Sequence, residues 1–166
     1  MAERDLHHGL ATPSLGGDTS VLIVVAPFYR TIADGLVAGA KATLDAAGAR
    51  HEVVEVPGAL EIPTAIRLAS RVGAFDGYVA LGCVVRGETT HYETVCNDSS
   101  RGLTLLGLEG VPLGNGILTV ENLAQAEARA DPTRMNKGGG AAEACLHLVA
   151  LSRRFAPAAR GVGFRR

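Results

Sequence analysis

Tryptophan is absent from the 166 residues, and aromatic residues make up only 4%. So few rings argue against a surface that stacks nucleic-acid bases. Neither sign of charge is in excess: 16 Lys and Arg meet 17 Asp and Glu, a formal net charge of -1. Such a balance offers no basic stripe to nucleic acid and no polybasic face to an anionic membrane. Cysteine is sparse and odd in number, at Cys83, Cys96 and Cys145. That is neither a disulfide framework nor a zinc-ligand spacing; reduced thiols of a cytosolic protein fit better. No His/Cys/Asp/Glu spacing suggests a metal of any kind. No apolar run reaches the ~20 residues of a membrane span. Residues 1–19 carry charges, histidines and turn residues in place of an export signal's apolar stretch. No Gly-x-Gly-x-x-Gly follows a strand-like run, and the P-loop and Gly-x-Ser-x-Gly patterns are missing. The expectation is a soluble, cytoplasmic protein without nucleic-acid or membrane partners.

What is present is a globular composition, 47% hydrophobic, at a length that favours one domain. Residues 1–18 are polar and without period, and are expected to be an arm, flexible or docked on a neighbouring subunit. Val21–Ala26 is a continuous apolar run rich in β-branched residues, the pattern of a central strand. Ile32, Leu36, Ala40, Leu44 and Ala47 recur at helical spacing up to Gly48. His51–Val56 reads as a second strand stopped by Pro57-Gly58. Leu60–Val72 reads as a helix with Pro63 in its first turn. Gly77–Val85 is a third strand, and Thr90–Leu106 a third helix. Pro112–Thr119 is a fourth strand, weakened by Gly114 and Gly116. Asn122–Ala130 is a short helix opened by a capping-box pattern of Asn122 and Gln125. Asn136–Phe155 is the last helix, and residues 156–166 form a basic, solvated tail. The alternation predicts an α/β fold, a four-stranded parallel sheet with helices on both faces and right-handed crossovers. Its short sheet leaves edges that invite a strand from another subunit.

In a parallel sheet every strand ends at one rim, where α/β folds put their ligands. Four clusters are expected there: Phe28-Tyr29, residues 56–61, Cys83–His91 and Gly114-Asn115-Gly116, the last near or within the fourth strand. Gly87 permits a tight turn ahead of an open helix end, whose N–H groups attract anions. The alternative for Thr89 and Thr90 is a plain helix cap. His91, one or two residues into that helix, suits a general base beside an anion; otherwise it is an exposed surface histidine. Glu61 either complements a helix dipole or accepts from ligand hydroxyls. Phe28 is either core or a flat face for a ring. Arg129 and Lys137 flank the Pro132 turn, as surface charges or as an anion clamp and a point charge.

Four segments in order carry a resemblance: Val56–Pro63 (VPGALEIP), Leu81–His91 (LGCVVRGETTH), Asn115–Asn122 (NGILTVEN) and Asn136–Gly139 (NKGG). Together they resemble the 6,7-dimethyl-8-ribityllumazine synthases of riboflavin biosynthesis, over about Val21 to Leu151. The resemblance implies a flavodoxin-like three-layer α/β/α sandwich. It implies a transferase that condenses 5-amino-6-(D-ribitylamino)uracil with 3,4-dihydroxy-2-butanone 4-phosphate, releasing phosphate and water. These two small molecules are the expected substrates, with no cofactor and no metal. It also implies a homopentamer, or a multiple of pentamers, with each active site between adjacent subunits.

Matched motif by motif, Phe28 should stack near the pyrimidine, and Gly58, Ala59 and Leu60 with Glu61 should hold the ribityl chain. Cys83, Val84 and Val85 should meet the ring edge through backbone groups. Gly87, Glu88 and Thr89 should receive the phosphate, with Arg129 arriving from the adjacent subunit. His91 is the implied proton-transfer residue, and Lys137 of the neighbour should approach the ring. Three departures stand out: Asn115 where many members carry an aromatic, Leu60 where many carry Phe, and a segment 130–135 without the pattern typical of sixty-subunit capsids. The last favours a pentamer or a pair of pentamers. The runner-up function is a non-catalytic lumazine or flavin binder on the same scaffold.

Overall fold

Continuous β-branched runs need burial on both faces, and a sheet between two helical layers provides it. The structure, a computed structural model, describes residues 9–15 and 18–157. The expectations for residues 1–8 of the arm and 158–166 of the tail lie outside the described residues. The element order is β1 (Ser20–Val25), α1 (Arg30–Ala46), β2 (Arg50–Glu55), α2 (Ile62–Ser70), β3 (Gly77–Val85), α3 (His91–Leu108), β4 (Leu113–Val120), α4 (Leu123–Ala130) and α5 (Lys137–Arg154). A short 3-10 turn, Ala59–Glu61, leads into α2, and Pro63 lies at its start. The strands are all parallel in the order β2-β1-β3-β4. This is the expected three-layer α/β/α sandwich.

Alternate residues of β1 divide the core. Val21, Ile23 and Val25 face one way, with Leu36, Leu44, Ala142, Leu146 and Val149 of α1 and α5. Leu22, Val24 and Ala26 face the other, with Ile62, Ile66, Leu103 and Leu106 of α2 and α3. Burying a side chain of this size contributes about 1.5–3 kcal/mol. β2, by contrast, is an edge strand that leaves Val53 and Val54 partly exposed.

The glycines of β4 let α5 approach the strand closely. A Cβ on Gly114 would drive into the backbone carbonyl of Ala141, and one on Gly116 would sit 2.9 Å from Ala141 Cβ. β4 therefore runs on to Val120, and Gly114-Asn115-Gly116 lies inside it. The expectation that this cluster reaches the rim is corrected by the register. Asn115 stands opposite Ala80, whereas Leu118 stands opposite Cys83. Three rungs at ~3.3 Å place Asn115 about 10 Å below the level of Cys83.

Candidate active site

The chain runs from β1 to β2 on one side and then to β3 on the other, so the strand order reverses between β1 and β3. The helices leaving β1 and β3 diverge there and open a crevice at the carboxyl ends. The structure has a cleft of about 380 Å³ at this point. Phe28 and Tyr29 after β1, Pro57 to Glu61 after β2, Cys83 to Val85 at the end of β3, and His91 and Val95 of α3 line it.

Each segment arrives there for a local reason. Pro27 follows β1, and Phe28 is thrown outward, 74% exposed, edge-on to Tyr29 at 5.1 Å. That exposure decides between the two readings of Phe28: it is not core. Gly58 and the turn Ala59–Glu61 bring backbone groups to the wall, and the Glu61 carboxylate folds over Gly58, where a Cβ would lie 2.9 Å from its Oε2. Cys83 is buried at the cleft floor, and burial pushes its thiol up to about 11. A thiol held protonated is a poor nucleophile, so this position offers backbone groups and shape.

After Val85 the chain turns through Arg86, Gly87, Glu88, Thr89 and Thr90, all exposed. Thr90 is the cap residue of α3, but its side chain makes no cap hydrogen bond. The Thr89 hydroxyl instead accepts from the His91 N–H at 3.3 Å. The plain-cap reading therefore fails for the Thr90 side chain, while the Thr89 hydroxyl takes up a first-turn N–H as a capping hydroxyl does. Arg86 N–H donates to Val120 O at 2.9 Å. Arg86 does not line the cleft; its guanidinium pairs with Glu93 of α3 at 2.5 Å and Glu121 after β4 at 2.8 Å, and it lies over the Tyr92 ring at 4.3 Å. Those contacts raise its pKa further and hold Glu93 below the usual carboxylate range.

Of the expected site residues, Phe28, Gly58, Ala59, Leu60, Glu61, Cys83, Val84, Val85 and His91 come together on one cleft. Gly87, Glu88 and Thr89 follow the third strand on the segment leading to His91 but do not line it. Asn115, Arg129 and Lys137 do not line it either. Asn115 is exposed on β4, its Oδ1 accepting from the Ile117 N–H at 2.9 Å. Arg129 is on the last turn of α4, where Nη1 donates to Gln125 O at 3.1 Å. Lys137 opens α5, behind the αL cap Asn136, whose Oδ1 accepts from Gly139 N–H at 3.2 Å. Sequence reasoning missed Val95 and the Arg86 contacts. Val95 follows His91 by four residues, the spacing that puts both on one helix face. The Arg86–Glu121 contact joins residues 35 positions apart and the Arg86–Glu93 contact spans a turn of 7, and no local period announces either.

The family model described as 6,7-dimethyl-8-ribityllumazine synthase matches residues 18–153. The chain belongs to that family. A 6,7-dimethyl-8-ribityllumazine synthase of Jannaschia sp. (strain CCS1) is 54% identical over 156 residues, 94% of this chain and 88% of that protein. Proteins of the same name from Sphingopyxis alaskensis and Novosphingobium aromaticivorans are each 58% identical, over 81% of this chain and 96% of their own length. Family membership spans every element from β1 to the last full turns of α5, so it covers both the cleft and the β4–α4–α5 side. Among the described residues, no helix is long and apolar enough to cross a membrane, and no His/Cys/Asp/Glu group could hold a metal ion.

Proposed function

We propose that this chain is a cytoplasmic lumazine synthase. It condenses 5-amino-6-(D-ribitylamino)uracil with 3,4-dihydroxy-2-butanone 4-phosphate to 6,7-dimethyl-8-ribityllumazine, releasing phosphate and water. One observation carries the reading: in a member of this family, a histidine stands on the wall of a cleft otherwise lined mainly by apolar and backbone groups, at the strand-order switch. A mere binder of lumazine or flavin has no use for a proton-transfer group there.

Phe28 offers its exposed face to the pyrimidine; an aromatic–base stack of this kind is worth about 1–3 kcal/mol. The backbone of Gly58 to Leu60, with Glu61, holds the ribityl hydroxyls. Backbone groups of Cys83 to Val85 meet the ring edge. Gly87, Glu88 and Thr89 hold the phosphate by N–H groups at the open end of α3. The reaction joins an amine to a carbonyl, expels phosphate and closes a ring. Orienting the two partners accounts for much of the rate, and His91 moves the protons.

The phosphate needs a counter-charge that the cleft's lining does not contain. Arg129 and Lys137, on the α4 and α5 side, serve the cleft of the adjacent subunit, and Asn115 of that neighbour completes the wall. This supports a ring of subunits, a pentamer or a pair of pentamers. The exposed edge of β2, with Val53 and Val54, takes a strand from a neighbour's arm. Residues 19–155 form the one catalytic domain between the arm and the tail. Mixing the two substrates with purified protein tests the function: lumazine absorbance should appear in a time course proportional to enzyme. Binding of lumazine without turnover would leave only the binder.

A further inference from the structure

Arg86 is the most heavily committed side chain near the cleft, yet it does not line it. Its Nε donates to Glu121 at 2.8 Å and its Nη1 to Glu93 at 2.5 Å. Its guanidinium also covers Tyr92. Glu93 and Tyr92 are the two residues after His91, and Arg86 N–H makes the final tie of β3 to β4. The exposed turn 87–90 is therefore anchored at one end by the ladder and at the other by the Arg86 side chain. Glu121 extends the chain of ties. Its N–H donates to Gln125 Oε1 at 2.9 Å, and Gln125 O accepts from Arg129.

We propose that Arg86 is a positioning residue for this reaction. It fastens the first turn of α3 to the segment that starts α4, and so fixes the His91 and phosphate-binding segment of one half-site together with the helix that carries Arg129. The proposal rests on the function set out above. A forked guanidinium reaches two carboxylates from different elements at once, which a point-charge ammonium does not. Its charge is already matched by Glu93 and Glu121, so its use is geometric and not a direct attraction for phosphate. Exposed ion pairs stabilise a fold little, so a purely structural role is a poor account of three contacts on one side chain.

The test compares full-length wild type with Arg86→Lys, Arg86→Met and Glu121→Gln. Turnover, the KM of each substrate, melting temperature, and binding of product and of inorganic phosphate are measured. Arg86→Lys and Arg86→Met should lose about 10-fold or more in kcat/KM for the phosphorylated substrate, since small misplacements are costly when geometry supplies the rate. Inorganic phosphate should weaken in parallel. The KM of the pyrimidine substrate, product affinity and melting temperature should hold, and Glu121→Gln should fall between. Wild-type kinetics in Arg86→Lys with a loss in Arg86→Met would mean charge alone matters and would overturn the proposal. So would unchanged phosphate affinity in both variants, or an equal rise in the KM of both substrates. If wild type binds product and phosphate but never turns over, the reaction reading fails alone; the phosphate affinities of the variants still judge Arg86.

Discussion

The two sides of the sheet's carboxyl end carry opposite things. The β1–β3 side has a cleft walled by Phe28, Gly58 to Glu61, Cys83 to Val85 and His91. It has the shape for a small ring compound and a histidine, and no Lys or Arg in its lining. The β4–α4–α5 side has Arg129, Lys137 and an exposed Asn115, and none of these lines that cleft. One side has a cleft without a Lys or Arg in its lining; the other has cations that do not line that cleft. On the proposed function the two halves serve one site only together. In the ring proposed above, a head-to-tail interface would bring these different faces of adjacent copies together.

The strongest way to break that comparison is to disable each side separately. His91→Ala should cut turnover by about 10²- to 10⁴-fold, the usual share of general acid–base catalysis, while product still binds. Unchanged turnover would remove the histidine from its role. Arg129→Ala should raise the KM of the phosphorylated substrate above that of the other. The two variants, refolded or co-expressed together, should recover activity that neither has alone. In a random mixture about a quarter of the interfaces pair an intact His91 face with an intact Arg129 face. No recovery from well-assembled mixtures would put both halves in one chain.

A smaller effect sharpens the charged side. Its seat depends on Gly114, where a Cβ would collide with the Ala141 carbonyl of α5. Gly114→Ala should cost about 1–3 kcal/mol by overpacking. Thermal melting would show this as a drop of several degrees. A melting temperature equal to wild type would show that α5 is not held this tightly. Gly87 is a useful contrast on the cleft side: a Cβ there meets nothing within 4 Å. Gly87→Ala should leave stability nearly intact and alter phosphate affinity instead.

The division between the sides also governs what was legible in the sequence. Strands and helices declared themselves through periodicity, because Val21–Val25 and the stripe from Ile32 to Leu44 are written by burial alone. The cleft segments were found because they follow strand ends, and parallel strands end together. Glycines in β4 misled, since the sequence shows a missing side chain but not the α5 helix that occupies its space. Asn115, expected to contribute at the rim from near or within the fourth strand, lies about 10 Å below the level of Cys83 by rung spacing. The Arg86 ties to Glu93 and Glu121 were out of reach for a similar reason: one spans a turn and the other joins two separate loops. Contacts set by tertiary approach leave no period to read.

The smallest expected effect compares the two sides through their thiols. Cys83 lies at the cleft, and burial holds its pKa at about 11 against an ordinary 9.0. Cys145, on the buried face of α5, packs against β3 and β4, and burial pushes it to about 12. For each, the folded pKa exceeds the unfolded one. The stabilising contribution is complete below pH 9 and declines as pH rises, because the unfolded chain ionises first. Cys83 contributes to this decline from pH 9 to about 11, and Cys145 from 9 to about 12. Tyr78, raised chiefly by its own burial, acts in the same direction. Melting temperature should therefore fall as pH rises above 9. Cys145→Ala should flatten that slope beyond pH 11 more than Cys83→Ala, even though it also lowers the melting temperature at pH 7 by opening a hole beneath α5. Identical slopes in the two variants would show that the cleft floor is as closed to solvent as the seat of α5. The contrast between an open, ligand-facing side and a closed, helix-bearing side would then lose its physical basis.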